Sequence, residues 1–232
     1  MTDVHTADRA GTERTGGEHG QSLSALVYGT IRERIILGYY AQGSRLPEQR
    51  IGEELQVSRV PLREAVPLLE RDGFVSTNPR RSAVVSTWTR KAVDDLFDVR
   101  LCLEVGAARH AARQVALGAP LGPLDAALDD AHHTVEERDA YAIARASTAY
   151  HEAVVATAAN ELMFKMMRTI SGRMTWLFHL TSGLSADDAY HDHVSLRDAI
   201  ASGNERVAES VAYAHIERDR GPTFESLGDA LD

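Results

Sequence analysis

The chain has 232 residues, 44% of them hydrophobic, with a formal net charge of −9 and a single cysteine. That supplies core for one large or two modest domains, lacks any apolar run of the roughly 20 residues a membrane span needs, and excludes an internal disulfide. With no apolar signal segment at its start, it is expected in the reducing cytoplasm.

Residues 1–22 are polar, rich in Gly and Thr and without periodicity, and read as a disordered tail. Leu23, Val27, Ile31 and Ile35 recur every fourth residue, predicting an amphipathic helix closed by Gly38. From Leu46 to Val85 the pattern is two short helices, a tight turn and a two-stranded wing. Ile51 and Leu55 share a face of the first helix. Ser58 stands where its hydroxyl can cap the second, and Val66, Leu69 and Phe74 can turn inward. Arg59 and Arg63, four apart, project from one side of the opening turns of that second helix. Arginine placed there can bind guanine O6 and N7 bidentately or clamp phosphates. Pro67 falls inside the same helix and predicts a kink beyond these turns. Residues 74–77 and 83–87 are the expected wing strands, on either side of a tip carrying Arg80 and Arg81, and residues 89–91 the expected linker.

Charge follows this division. Residues 23–91 hold eleven basic against seven acidic side chains, and residues 92–232 twelve against twenty-three. A basic module joined to an acidic body suits a phosphate-bearing partner. The run Val57-Ser58-Arg59-Val60-Pro61-Leu62-Arg63-Glu64-Ala65 also resembles the V-S-R-x-P-V-R-E-A signature of the GntR family of bacterial transcription regulators. Leu46, Glu48, Glu53, Glu54 and Leu55 fall where that family has them. The resemblance implies a winged helix-turn-helix over residues 23–88 that binds double-stranded operator DNA through Gln49, Arg50, Ser58, Arg59, Arg63 and Arg81. Three positions depart from it: the family has arginine directly after the glutamate matching Glu48, where this chain has Gln49 before Arg50; it has glycine after the basic pair of the wing, where this chain has Ser82; and Pro67 sits inside the recognition helix.

From Ala92 the spacing is helical and no strand is expected, so the fold class is mostly α: an antiparallel helical bundle over residues 92–220 and a tail over 221–232. Leu96, Val99 and Leu103 line one segment and Leu124, Leu128 and Ala131 another. Residues 135–150 form a third, followed by 151–157, 161–180, 185–201 and 205–218. Cys102 in this apolar pattern reads as a buried small hydrophobe rather than a redox sensor. Met163, Met166, Met167 and Met174 read as core filler. His193 and His215 flank the Gly203-Asn204 break at nearly equal distances, each about 15 Å along its helix, so an antiparallel hairpin sets them level. His151, on an earlier helix, is the candidate third member of a cluster.

Taken together, Tyr150-His151, Asn160, Asp192-His193, Ala199-Ile200 and Ala214-His215 resemble the FadR-type C-terminal effector (FCD) domain of the GntR family. The resemblance implies a homodimer, and a divalent metal such as zinc or nickel held by His151, His193 and His215 beside a small carboxylate effector. The aspartate of that pattern, four residues before the first histidine, is Ser147 here, a far poorer ligand. Either the three histidines hold metal with water or effector carboxylate completing the site, or the metal is lost and they bind an anion directly. Arg100 and Glu104 match the R-x-x-x-E of the domain, and with Ser147 they make up the expected effector site. Arg100 either turns inward to an effector carboxylate or pairs with Glu104 one turn along. The expected function is a ligand-responsive regulator, with repression relieved by a small organic acid, and not an enzyme. A helical metalloenzyme is the competing class, but no acid–base motif accompanies the histidines. A dimerisation module without effector is the third.

Overall fold

Helix α1 (Leu23–Ile36) begins where the Ser22 hydroxyl accepts the Ala25 N–H, and it stops at Gly38, whose φ of +75° most side chains would resist. The structure is a computed structural model and describes residues 22–77, 82–182, 186–228 and 231. Val27, Ile31, Ile35 and Ile36 of α1 are buried, whereas Leu23, first of the expected stripe, is 52% exposed. Against α1 packs α3 (Arg59–Arg71), anchored by Pro61, Leu62, Ala65 and Leu69, and against α3 packs α2 (Glu48–Glu54), anchored by buried Ile51. Val66 is only half-buried. The helix runs unbroken through Pro67 to Arg71. Ser58 occupies the N-cap of α3, but its hydroxyl makes no capping bond, contrary to expectation.

The wing is shorter than the sequence implies. Strands β1 (Val75–Ser76) and β2 (Val84–Val85) pair antiparallel, Val75 opposite Val85, and Arg45 adds a bridge to Val84. The tip with Arg80 and Arg81 lies outside the described residues.

The expected linker is no loop: Thr89 caps α4 (Arg90–Ala116) by accepting the Ala92 N–H, so residues 90 and 91 are already helical. Then follow α5 (Gly122–Glu137), α6 (Ala140–Thr157), α7 (Glu161–Leu180), α8 (Ala186–Ala201) and α9 (Glu205–Leu227). The break expected at His151 falls instead at Arg138 and Asp139. Arg138 takes a left-handed φ of 58°, and the Asp139 carboxylate accepts the Tyr141 and Ala142 N–H groups. Asn160 and Asn204 cap α7 and α9 in the same way. Helix α9 also continues past the expected tail boundary, through Pro222, and seats Phe224 under Arg90 with guanidinium carbon and ring centroid 4.8 Å apart.

Which face of α4 is inward also differs. Val99 is 43% exposed and Cys102 is exposed, because Arg100 and Glu104, with Leu96, Phe97 and Leu103, take the buried stripe. Of the methionines, Met167 and Met174 are buried, Met163 half-buried and Met166 exposed. The two halves share one core. Phe74 stacks on Trp176 of α7 at 5.5 Å, Trp88 meets the same ring edge-on at 5.6 Å, and Arg173 lies over Trp88. A Cβ on Gly172 would stand 2.8 Å from Phe74 Cε2, so this approach requires glycine.

Candidate functional site

Two sites emerge, one open and one closed. The open one is a groove of about 1130 Å³ between α2, α3 and the base of the wing, into which Gln49, Arg50, Ser58, Arg59 and Arg63 converge. Arg45 and Ser82 line it too; both were missed, since only the bridge to Val84 carries Arg45 to the groove. The arginines are not equivalent. Among the described residues Arg45, Arg59 and Arg63 make no ion pair and are exposed, so their guanidinium groups are available to a partner. Arg50 is engaged: Nε donates to Glu54 Oε1 at 2.5 Å and its guanidinium lies over the Tyr39 ring. Glu54 also accepts from Arg34, and these bonds, that of Arg50 first, hold its carboxyl below the usual carboxylate range. Gln49 Nε2 donates to Glu53 Oε1 at 3.1 Å. The unused Ser58 hydroxyl opens onto the same groove.

The closed site is built from α4, α6, α8 and α9. The hairpin of α8 and α9 brings His193 and His215 level, with ring centroids 5.2 Å apart, and α6 sets His151 at 5.1 and 5.3 Å from them. All three are at most 3% exposed, and each offers a ligand atom within 4.8 Å of the others. Tyr150 stacks on His193 at 4.2 Å and donates its hydroxyl to the His193 carbonyl, fixing the start of the hairpin against α6.

Arg100 and Glu104 enter from α4, both buried. Arg100 Nε donates to Glu104 Oε1 at 2.9 Å, and Nη2 lies 3.4 Å from His151 Nε2. Glu104 Oε2 lies 2.7 Å from His151 Nδ1. Burial alone would raise the Glu104 carboxyl, but the Arg100 and His151 charges outweigh it and hold it at about 2. Of the two readings of Arg100, the pairing with Glu104 is the one the geometry shows, and Nη1 of the same guanidinium is buried and unpartnered. Phe178 of α7 closes the wall, under Arg100 at 5.1 Å and beside His151 at 5.9 Å. Ser147, which stands where the family pattern has aspartate, is half-buried one turn before His151.

Burial, then the neighbouring histidines and Arg100, push His193 and His215 well below the ordinary imidazole range, so both are neutral at pH 7. His193 Nδ1 and both ring nitrogens of His215 have no hydrogen-bond partner. Neutral imidazoles with free nitrogens are what a divalent transition metal coordinates, so the donor set fits such an ion. Asp192 Oδ2 is 4.0 Å from His215 Nδ1 but pairs with Arg218, and burial raises the carboxyl of Asp219, one turn beyond His215.

Residues 23–85 match the description "Bacterial regulatory proteins, gntR family", and residues 95–218 match the FCD domain. The chain belongs to the GntR family. This GntR regulator is 24% identical over 198 residues to the HTH-type transcriptional regulator YdhC of Bacillus subtilis, covering 83% of this chain and 87% of that one. Over 74 residues it is 39% identical to the gluconate operon transcriptional repressor of the same organism, covering 32% of this chain and 30% of the relative. A GntR transcriptional regulator from Rhodococcus sp. RHA1 shares the fold with a TM-score of 0.75 at 23% identity, covering 88% of this chain and 99% of the other. The matched domains and relatives are transcriptional regulators and not enzymes, so the histidine chamber belongs to a DNA-binding regulator. Among the described residues no helix is long and apolar enough to cross a membrane.

Proposed function

We propose that this GntR regulator is a homodimeric repressor whose FCD domain takes a divalent metal and a small carboxylate at His151, His193, His215 and Arg100, and which releases its operator when that effector binds. The observation that carries the reading is a buried cluster with unpartnered nitrogens on Arg100, His193 and His215. Buried polar atoms without partners cost free energy unless a ligand supplies them, and an effector carboxylate with a metal would supply one nitrogen on each of these three residues. When bound, the metal offers a positive centre to a carboxylate oxygen, in keeping with Ser147 leaving a position open. Arg100 Nη1 orients the second oxygen, Glu104 keeps the guanidinium in place, and Phe178 excludes water.

On the DNA side, Arg59, Arg63 and Ser58 read the operator, with Gln49, Arg50 and Arg81 in supporting contacts; two copies in a dimer would address two half-sites. The name of the gluconate operon repressor supports the sign. Coupling runs through α7 in this reading: Phe178 touches Arg100 and His151, while Trp176, two residues earlier, packs on Phe74 and Trp88 of the DNA-binding half. A coupling of about 3 kcal/mol would change operator affinity roughly 150-fold.

The test is His193→Ala. It should bind operator near wild-type affinity, lose metal by elemental analysis and ignore a panel of small organic acids. Intact metal content and intact release in both His193→Ala and His215→Ala would refute the chamber as effector site. Light scattering at micromolar concentration should return a dimer; a monomer holding a single asymmetric site at full affinity would remove the two-half-site reading.

A further inference from the structure

A second polar cavity, of about 190 Å³, lies where the two halves meet, on a different face of α6 from His151. It is roofed by Arg32 of α1, walled by Tyr141, Arg145 and Glu152 of α6, and floored by α7, whose Thr175 hydroxyl donates to that of Thr148 on α6 at 3.0 Å. Its size is below the roughly 300–1,000 Å³ of sites for drug-sized ligands, so any occupant is small.

The charges lining it are unspent. Arg34, Arg50, Arg71, Arg113, Arg197 and Arg220 all form ion pairs, whereas among the described residues neither Arg32 nor Arg145 does. Each instead lies against a tyrosine ring, Arg32 over Tyr28 at 5.5 Å and Arg145 over Tyr141 at 5.8 Å. Glu152, the carboxylate of the lining, pairs with neither arginine, leaving the wall with a formal charge of +1. Arg32 Nε is buried with no hydrogen-bond partner among the described residues, and the Arg32 side chain lies beside Gly172 of α7, where an added Cβ would stand 3.6 Å from Arg32 Cδ. A desolvated guanidinium N–H without an acceptor is an unmet hydrogen bond, and a fork of donors matches the oxygens of a carboxylate or phosphate.

The geometry points to a second ligand site here, taking one small oxyanion, a phosphate or a carboxylate, between Arg32 and Arg145. Because Arg32 belongs to the DNA-binding half and Arg145 to the FCD domain, the bound anion ties the two together. It needs neither the histidines nor their metal, so this site stands or falls separately from the chamber.

The test is thermal denaturation of the full chain in sodium phosphate, sodium acetate and sodium chloride at equal ionic strength. Phosphate, acetate or both should raise Tm above the chloride control, and whichever does so names the class of anion. Arg145 is exposed, so Arg145→Gln should fold normally and raise the apparent Kd for that anion at least tenfold; Arg32→Gln should do the same. His193→Ala and Arg59→Ala should keep the response. Equal Tm in all three salts overturns the proposal. So does a response that survives Arg145→Gln and Arg32→Gln: if it vanishes in His193→Ala or Arg59→Ala the anion sits in the chamber or the groove, and if every variant keeps it the salt acts by exclusion from the protein surface.

Discussion

The groove and the chamber both turn on arginine, and they treat it in opposite ways. Arg59 and Arg63 stand in water with no ion-pair partner among the described residues, so their charge is solvated and remains free to act on something else. Arg100 is fully buried, and the cost of desolvating its charge, several kcal/mol for such an ion, is offset by Glu104 at 2.9 Å. A side chain held by water registers in binding when it is changed. One held by the interior registers in folding.

That contrast can be broken most directly at Arg100. Arg100→Leu leaves Glu104 buried without its guanidinium and is expected to cost about 3–5 kcal/mol, measured as a shift in urea midpoint; a loss below about 1 kcal/mol would show that the chamber is wet and the contrast false. Arg59→Ala is the counterpart. It should change stability by no more than about 0.5 kcal/mol while weakening operator binding by about 1–3 kcal/mol if the residue reads a base. Gly172→Ala tests the seam between the two regions: its methyl would press on Phe74, and overpacking of this kind costs about 1–3 kcal/mol. Repression should then respond less sharply to effector. The smallest effect on stability is expected for Ser58→Ala. Removing a working cap costs about 1 kcal/mol, but this hydroxyl caps nothing, so the melting curve should stay put while operator affinity falls.

What could be read from the sequence was local or symmetric. The starts of α7 and α9 were legible because Asn160 and Asn204 cap them through bonds spanning two or three residues. The meeting of His193 and His215 was legible because a hairpin sets equal distances level. What failed depended on burial that no pattern announces. Placing Arg100 and Glu104 inside α4 turned Val99 and Cys102 outward, so an apolar count aimed that helix wrongly. A thiol reagent should label Cys102 in the native protein at one equivalent. The α5–α6 break was hidden because Arg138, a residue with no preference for left-handed backbone, makes it. Nothing local in Phe74, Trp88 and Trp176 discloses that they meet across the chain, and the linker expected at residues 89–91 is in fact a helix cap and the first turn of α4.

Glu54, shared by Arg34 and Arg50, bears on how the protein meets its operator as salt is varied. A phosphate taken up by a solvated arginine displaces mobile counterions into solution, and affinity then falls with a slope of roughly 0.9 in log salt for each phosphate neutralised. A phosphate that takes Arg50 from Glu54 instead frees a carboxylate, which gathers a cation of its own and cancels part of that release. The ions liberated per subunit should therefore track Arg45, Arg59 and Arg63, leaving this face less sensitive to salt than its full complement of arginines would make it.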